Sequence, residues 1–568
     1  MKMNSNRLAV KFGGASGQGI NTAGRMLTQS INRTGLYTFS TREYPSLIKG
    51  GIASYQVDVS NKEIFSSKRK HQILCTMSEG SFHKYLPNLS ENGVIIHDGE
   101  EMELTPEEEI HIQKNNLHIV YLHSEKIALE NGGTEIMGNA VLLGFIWKLL
   151  KQDPQILVEE VLEMLSGKDI DTEAETKCLL AGYNHPLYRE ELSHGIQLPT
   201  SAGTHRSLLI TGNEAIALGA LAAGMRAFYG YPMTPATSIF KFLGDTAHQS
   251  KIVIKQAENE ITAALMSMGS MYMGTRALTA TSGGGFDLMI ETISCCGMSE
   301  TPLVVVLAQR IGSGTGVPTW TGSGDLYTAV KGGHGDFPRC VISVSDATSC
   351  FSLIQKAFNI AEKFQLPVIL LSEKQIAESI YSVEKLPRVE KIDRNIVSSS
   401  KRYEITDSGI SPRWIPTKGL QPYIHTSDEH TEDGHSTEEE VEVKAMSDKR
   451  LRKVLSLKNE IPEPTLYGNP SSETVFIGYG STKNALLDTI QINENISYLH
   501  FDYIYPLKAD KVQHLLDDGK RVILLESNQD GQFGKLLAEE TGIKLKEQYL
   551  KYDGRAFSVD DILDYLNR

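Results

Sequence analysis

The sequence predicts an α/β protein made of three successive α/β domains, and three observations predict it. Short apolar runs such as PLVVVLA at 302–308, PVILLS at 367–372 and VILLES at 522–527 are continuous rather than alternating, as strands covered by helices on both faces are. Stretches with helical periodicity separate them. The chain's 49 glycines cluster where an apolar run gives way to a helical stretch, the place of a tight βα turn. With 568 residues the chain is too long for one hydrophobic core.

The first domain, residues 1–197, opens with the strand LAVKF at 8–12, the glycine turn GGASGQG at 13–19 and a helical stretch at 20–32. Parallel strands are expected at 72–77, 93–97 and 117–122, and a helix at 139–151. The second domain, 198–383, alternates strands at 207–210, 227–229, 302–308 and 367–372 with helices at 213–223, 259–272 and 349–364. That order implies a doubly wound parallel sheet. From 384 to 464 the pattern weakens. Asp428, Glu429, Glu432, Asp433, Glu438, Glu439, Glu440 and Glu442 lie within 425–442 without a basic residue, which reads as a solvated acidic connector. His425, His430 and His435 among them suggest a metal site, but five-residue spacing does not align them on one helix face, so a solvent-facing loop is the preferred reading. The last domain, 465–568, has strand-then-turn segments at 474–481 and 521–527, each followed by a helical stretch.

Composition narrows the function classes. A chain 40% hydrophobic and 22% charged, with mean hydropathy -0.22, is neither disordered nor a multi-span membrane protein. A net charge of -14 without a basic block argues against a nucleic-acid partner. The N-terminus has no signal-peptide core, and the longest apolar stretch, 140–150, is broken by Gly144 and Lys148 and is too short to span a bilayer. A cytoplasmic location without a membrane partner is expected. Cys75, Cys178, Cys295, Cys296, Cys340 and Cys350 contain no C-x-x-C, so neither a disulfide framework nor a cluster-binding set is expected.

Five segments carry chemistry. The turn at 13–19 has the wrong glycine order for G-x-G-x-x-G and no P-loop lysine, leaving a generic phosphate cradle or a plain tight turn. In GYPMTPAT at 230–237, Pro232 and Pro235 pin the backbone around Thr234, whose hydroxyl either meets an anion or caps the following helix. Glu260 leads into ITAALMSMGSMYMG, where the methionines read as core filling. A carboxylate entering an apolar helix needs a partner, either the helix start or a cofactor nitrogen. TATSGGGF at 279–286 permits close approach of a flat group. Arg310 ends an apolar strand and begins a glycine-rich loop, where it suits either a substrate carboxylate or a surface ion pair.

Together YPMTPAT, QAENEITAALMSMG, TATSGGGFDLM and AQRIGSGTGVPT resemble the α subunit of the 2-oxoacid:ferredoxin oxidoreductases. GGASGQG with EYPSLIKGG (43–51) resembles the family's γ subunit, here fused ahead of α. ESNQDGQFGKL (526–536) resembles the transketolase C-terminal-like domain of the same subunit. The resemblance implies a γ-type Rossmann-like domain, a thiamine-diphosphate pyrimidine-side domain and that C-terminal domain, in this order. It implies that the carboxylate at Glu260 bonds to N1′ of thiamine diphosphate as the catalytic group, with Tyr231 and Pro232 beside the cofactor. Thr234 and Arg310 would hold the substrate carboxylate, and Thr319 would tune the side chain.

The implied reaction is oxidative decarboxylation of a 2-oxoacid with coenzyme A to acyl-CoA and CO2, reducing ferredoxin, or the reverse. The acidic motif for Mg2+ and the diphosphate and the thiolates for [4Fe–4S] are absent, so both are expected on a separate β subunit, without which the chain is inactive. The fused γ–α arrangement points to the 2-oxoglutarate or broad-range type; pyruvate, branched-chain 2-oxoacids and indolepyruvate are the alternatives. Outside that class stand a non-redox thiamine-diphosphate subunit and a non-catalytic scaffold. The sequence leaves open the αβ or (αβ)2 assembly, the direction of the reaction and the place of coenzyme A.

Overall fold

A computed structural model describes residues 7–46, 51–200, 206–397, 399–416 and 422–568. The described residues form an α/β fold with three sheets. It divides into two compact units, one of Met1–Ile210, Ser379–Lys385 and Ser558–Arg568, the other of Thr211–Glu378 and Leu386–Phe557.

The first unit is built on a mixed sheet. His118–Leu122, Leu89–Asp98, His71–Thr76 and Arg7–Ala15 run parallel, as their apolar character predicts. Beyond Arg7–Ala15 the sheet continues antiparallel through Ile52–Ser60, Tyr37–Glu43 and Ile380–Val383. The strands Tyr37–Glu43 and Ile52–Ser60 are additions to the expected set, because they carry polar residues inward and so lack a continuous apolar run. Asp58 is fully buried, where it accepts from Gln56 Nε2 at 3.0 Å and Arg7 Nη2 at 3.3 Å. Pairing of this kind removes the cost of burying them.

The second unit holds two sheets. The larger one orders Cys340–Ser343, Pro367–Glu373, Leu303–Gln309, Ala277–Thr281, Ala227–Gly230 and Val253–Gln256 in parallel, with Tyr503–Tyr505 antiparallel at one edge. Leu303–Gln309 is buried along its whole length and pairs in register with Pro367–Glu373. The smaller sheet orders Thr465–Gly468, Ile496–His500, Thr474–Gly478, Arg521–Glu526 and Glu547–Leu550.

The acidic stretch is solvated at most of its carboxylates, as expected, since Asp428, Asp433, Glu438, Glu439, Glu440 and Glu442 are exposed, but the helix that follows it is packed. Glu440–Glu460 is a helix whose Lys449 and Lys453 are buried against Glu300, with Lys449 Nζ 2.5 Å from Glu300 Oε1. Glu362, also buried, faces Arg276 and Arg394 at 2.8 Å and Arg413 at 3.2 Å. Of the three histidines, His430 is 0% exposed with its ring centroid 4.0 Å from that of Tyr403, and His425 Nε2 lies 2.7 Å from Thr301 Oγ1. The solvent-facing reading therefore fails for these two. Two of the carboxylates are matched by basic residues distant in sequence, Glu429 by Arg450 at 3.0 Å and Glu432 by Lys401 at 2.7 Å, which local composition does not reveal. Among the described residues no cluster of His, Cys, Asp and Glu suits a metal ion, and no helix is long and apolar enough to cross a membrane.

Candidate active site

The site is assembled at the C-terminal ends of parallel strands in the larger sheet of the second unit, where open α/β sheets leave a crevice. Ala227–Gly230 delivers the turn at 231–236, which leads into the helix Thr237–Ser250. Buried Asn213 fixes the turn by donating from Nδ2 to the Pro235 carbonyl at 2.9 Å and to Ser238 Oγ at 2.7 Å. The helix cap is Ala236, not Thr234, and no side chain caps it, so the capping role is excluded for the Thr234 hydroxyl. What Thr234 does is accept, through its carbonyl, a 3.0 Å hydrogen bond from Arg310 Nη1. Arg310 makes no direct ion pair with a described residue, and this hydrogen bond orients its charge. Burial lowers its pKa, and Asp325 partly opposes that.

Val253–Gln256 leads to Asn259, whose side chain accepts from Thr262 N at 2.9 Å and starts the helix Glu260–Tyr272. Glu260 is the first residue of that helix and 3% exposed, and its Oε1 is buried without a hydrogen-bond partner. The helix start therefore does not satisfy the carboxylate. Across from it begins the helix Gly283–Met298, and a Cβ at Gly285 would stand 2.7 Å from Glu260 Oε1 and 2.1 Å from Thr281 Oγ1. Glycine is required there so that the carboxylate can lie against the turn. Thr279 Oγ1 and Ser282 Oγ on the same strand–helix turn are also buried and unpartnered. Thr281 Oγ1 lies 3.8 Å from Met233 Sδ, which ties this turn to the 231–236 turn.

Leu303–Gln309 ends in Arg310 and a loop closed on itself by an antiparallel bridge between Ile311 and Val317. Gly316 has a φ of 55°, and a Cβ there would meet the Ile311 carbonyl at 2.3 Å. Arg310, Gly312, Gly314 and Asp325, with Gly283 and Gly284 of the helix start and Asn528, Asp530 and Gln532 after the strand Arg521–Glu526 of the smaller sheet, line a cavity of about 400 Å³. Asp325 is the residue sequence reasoning missed. Its Oδ2 is buried without a partner, its backbone N–H donates to Gln309 Oε1 at 3.0 Å, and its carboxylate lies against Gly283. Burial, then the nearby Asp287, push its pKa up to about 6 against the opposing pull of Arg310. Its only sequence signal was a carboxylate following a glycine-rich loop.

The structure thus brings Arg310 to Thr234, and Glu260 to Thr281 and Gly285. Tyr231 and Pro232 stand exposed on the turn. Thr319 is 5% exposed with its hydroxyl unpartnered, and it does not line the cavity. The buried, unpartnered Glu260 Oε1 is suited to a heterocyclic N–H, so the residues present fit an aminopyrimidine.

Comparison with known proteins places the chain in one family. The family model "Pyruvate flavodoxin/ferredoxin oxidoreductase, thiamine diP-bdg" matches residues 218–449, and "Pyruvate ferredoxin/flavodoxin oxidoreductase" matches 9–185. The chain is 30% identical over 622 aligned residues to the 2-oxoacid:ferredoxin oxidoreductase subunit alpha of a Sulfolobus species, covering 99% of this chain and 96% of that one. It is 28% identical to the 2-oxoglutarate synthase subunit KorA of Methanothermobacter marburgensis, over 62% of this chain and 97% of that one. The solved structure of the 2-oxoglutarate:ferredoxin oxidoreductase from Magnetococcus marinus, with 2-oxoglutarate, coenzyme A and succinyl-CoA bound, superposes with a TM-score of 0.90 at 27% identity over 99% of each chain.

Proposed function

The chain belongs to the α-subunit family of the 2-oxoacid:ferredoxin oxidoreductases, and we propose that within it the chain serves a coenzyme A-dependent enzyme acting on 2-oxoglutarate. The observation that carries the reading is the buried Glu260 carboxylate with an unpartnered oxygen, close to a turn on which Arg310 is oriented. Support for 2-oxoglutarate comes from the KorA relative and from the structural match at TM-score 0.90, whose bound ligands include that acid.

Thiamine diphosphate, when bound, supplies the nucleophilic carbon and the electron sink for decarboxylation. Glu260 is proposed to accept a hydrogen bond at Oε1 from N1′, which holds a proton on that nitrogen and favours proton loss at the reacting carbon. Arg310 binds the 1-carboxylate of the acid, with its guanidinium aimed by the Thr234 carbonyl and the Thr234 hydroxyl left available for the same anion. Tyr231 and Pro232 flank the cofactor, and Thr319 borders the substrate's side chain. Mg2+ and the [4Fe–4S] cluster are assigned to a β subunit and the electrons to ferredoxin, since the described cysteines are buried or half-buried and dispersed. Exposed Ile261, Leu265, Leu288 and Val317 around the site suit burial by that subunit. The test is copurification with the β subunit and assay of a 2-oxoacid panel with coenzyme A and viologen dye. Preference for 2-oxoglutarate supports the assignment, and no turnover of any 2-oxoacid overturns it.

A further inference from the structure

The segment ESNQDGQFGKL at 526–536 is left without a role by the reaction chemistry, yet its side chains reach the substrate side of the site. Residues 320–327 return from the Arg310 loop toward the helix Leu326–Lys331, and the smaller sheet grips them at successive points. Thr321 N–H donates to the Gly554 carbonyl at 3.2 Å and Ser323 N–H to the Ser527 carbonyl at 2.9 Å. Asn528 Nδ2 donates to the Ser323 carbonyl at 3.0 Å, and the Tyr479 hydroxyl donates to the same carbonyl at 3.3 Å. The Arg555 guanidinium lies 3.5 Å from the ring centroid of Trp320.

Gln532 makes the most directed of these contacts. Its Nε2 donates to the Gly324 carbonyl at 2.8 Å, and its Oε1 accepts from the Tyr327 N–H at 3.1 Å. One side-chain amide therefore bridges the backbone on both sides of Asp325. Gln532 is itself held, because its own N–H and those of Asp530 and Gly531 donate to Asn528 Oδ1 at 3.3, 3.0 and 2.8 Å. From the other side Gln309 Oε1 accepts the Asp325 N–H, so the residue before Arg310 fixes the same backbone. Arg310 is the single cation among the described lining residues of the cavity, against Asp287, Asp325 and Asp530. The separation of Asp325 from Arg310 then decides how much positive charge an entering anion meets.

We propose that Gln532 is a positioning residue that sets 2-oxoacid selectivity, by holding the backbone on either side of Asp325 and so fixing that carboxylate relative to Arg310. The inference rests on Arg310 as the substrate-carboxylate ligand. It extends that reading by giving the C-terminal sheet a part in substrate choice, through amides rather than through contact with the reacting atoms. A rigid, hydrogen-bonded backbone is what keeps a charged wall at constant distance from a ligand group.

The test uses the complex with its β subunit and cofactors, comparing wild type, Gln532→Leu and Gln532→Glu. Leucine removes both hydrogen bonds. Glutamate is isosteric and still accepts from Tyr327, but it places an anion where a donor to Gly324 is needed. Both variants are expected to raise the KM for the preferred 2-oxoacid about tenfold, the order expected from losing hydrogen bonds to backbone. The ratio of kcat/KM between dicarboxylic and monocarboxylic 2-oxoacids should shift about fivefold or more, while the KM for coenzyme A and for ferredoxin stays constant. Unchanged KM and ranking would overturn the proposal. So would a uniform loss of kcat over the panel, a Gln532→Glu complex that behaves as wild type, or failure of both variants to assemble. A wild-type complex that oxidises no 2-oxoacid would instead remove the functional reading on which it rests.

Discussion

Glu260 and Arg310 pose complementary problems of burial, since one is an acceptor without a donor and the other a half-buried cation that makes no direct ion pair and feels only the field of Asp325. Replacing Glu260 by Gln keeps the shape and removes the charge that would strengthen a bond to a ring nitrogen. Turnover is expected to fall by about 10²–10⁴-fold with assembly and cofactor content preserved, as steady-state assay and cofactor analysis would show. Arg310→Ala should lower kcat/KM by roughly 10–150-fold, the range for losing a charge-assisted hydrogen bond to a carboxylate, and mainly through KM. Asp325 predicts a pH effect. Its carboxyl is raised from 3.8 to about 6, so the folded state favours the neutral form. The stability this contributes is complete below about pH 4 and is lost as pH rises through 6. Asp325→Asn should leave the Tm unchanged near pH 4 and raise it at pH 8, by an amount equivalent to at most about 3 kcal/mol. Equal Tm values at both pH values would show that Asp325 is adequately solvated.

At the scale of elements, the helix Glu440–Glu460 shows what binds an apparently soluble segment to a core. Its Lys449 and Lys453 are buried on one carboxylate, Glu300, two residues past the helix Gly283–Met298. Burial of the ammonium groups lowers both pKa values, Lys453 to about 8, while their two positive charges hold Glu300 far below the usual carboxylate range. Glu300→Gln leaves both lysines without compensation. Removing one partner of a buried pair costs about 3–5 kcal/mol, so a large drop in Tm is expected. Lys444→Ala on the same helix breaks only an exposed pair with Asp448 and should change stability by less than about 1 kcal/mol. Thermal melts of the two variants side by side check the contrast.

For the whole molecule, the described residues hold the proposed pyrimidine-facing carboxylate, Glu260, and the proposed substrate ligand, Arg310, but no cluster of thiolates. Cys75, Cys178, Cys296, Cys340 and Cys350 are buried and Cys295 is half-buried. Burial raises the thiol pKa at all six, most at Cys75, Cys296 and Cys350, which disfavours the thiolate needed for iron. The chain expressed alone without oxygen, with iron and sulfide supplied, should remain colourless and fail to reduce viologen. Coexpression with the β subunit should give a brown, active complex. A visible cluster spectrum from the isolated chain would refute the division of labour.

Much of this architecture was legible in the sequence because it depends on neighbours along the chain. Continuous apolar runs such as 303–308 and 367–372 specify buried parallel strands, and glycines after them specify the turns that carry Glu260's neighbour Gly285 and the Arg310 loop. The segments holding Thr234, Glu260 and Arg310 were identifiable because proline, glycine and an isolated charge are unusual beside apolar strands. Other features depended on partners remote in sequence. The strands Tyr37–Glu43 and Ile52–Ser60 bury polar groups that pair only once the sheet forms. The terminal segment Ser558–Arg568 groups with the first unit, where Arg69 meets Asp561 and Asp564 at 2.9 Å. Acidic residues near 430 are matched by lysines and arginines of other elements, and Gln532 finds its partners 208 and 205 positions away. Periodicity and turn chemistry are local properties of the backbone, so sequence determines them directly. The satisfaction of a buried charge or amide is a property of packing, and only the tertiary structure decides it.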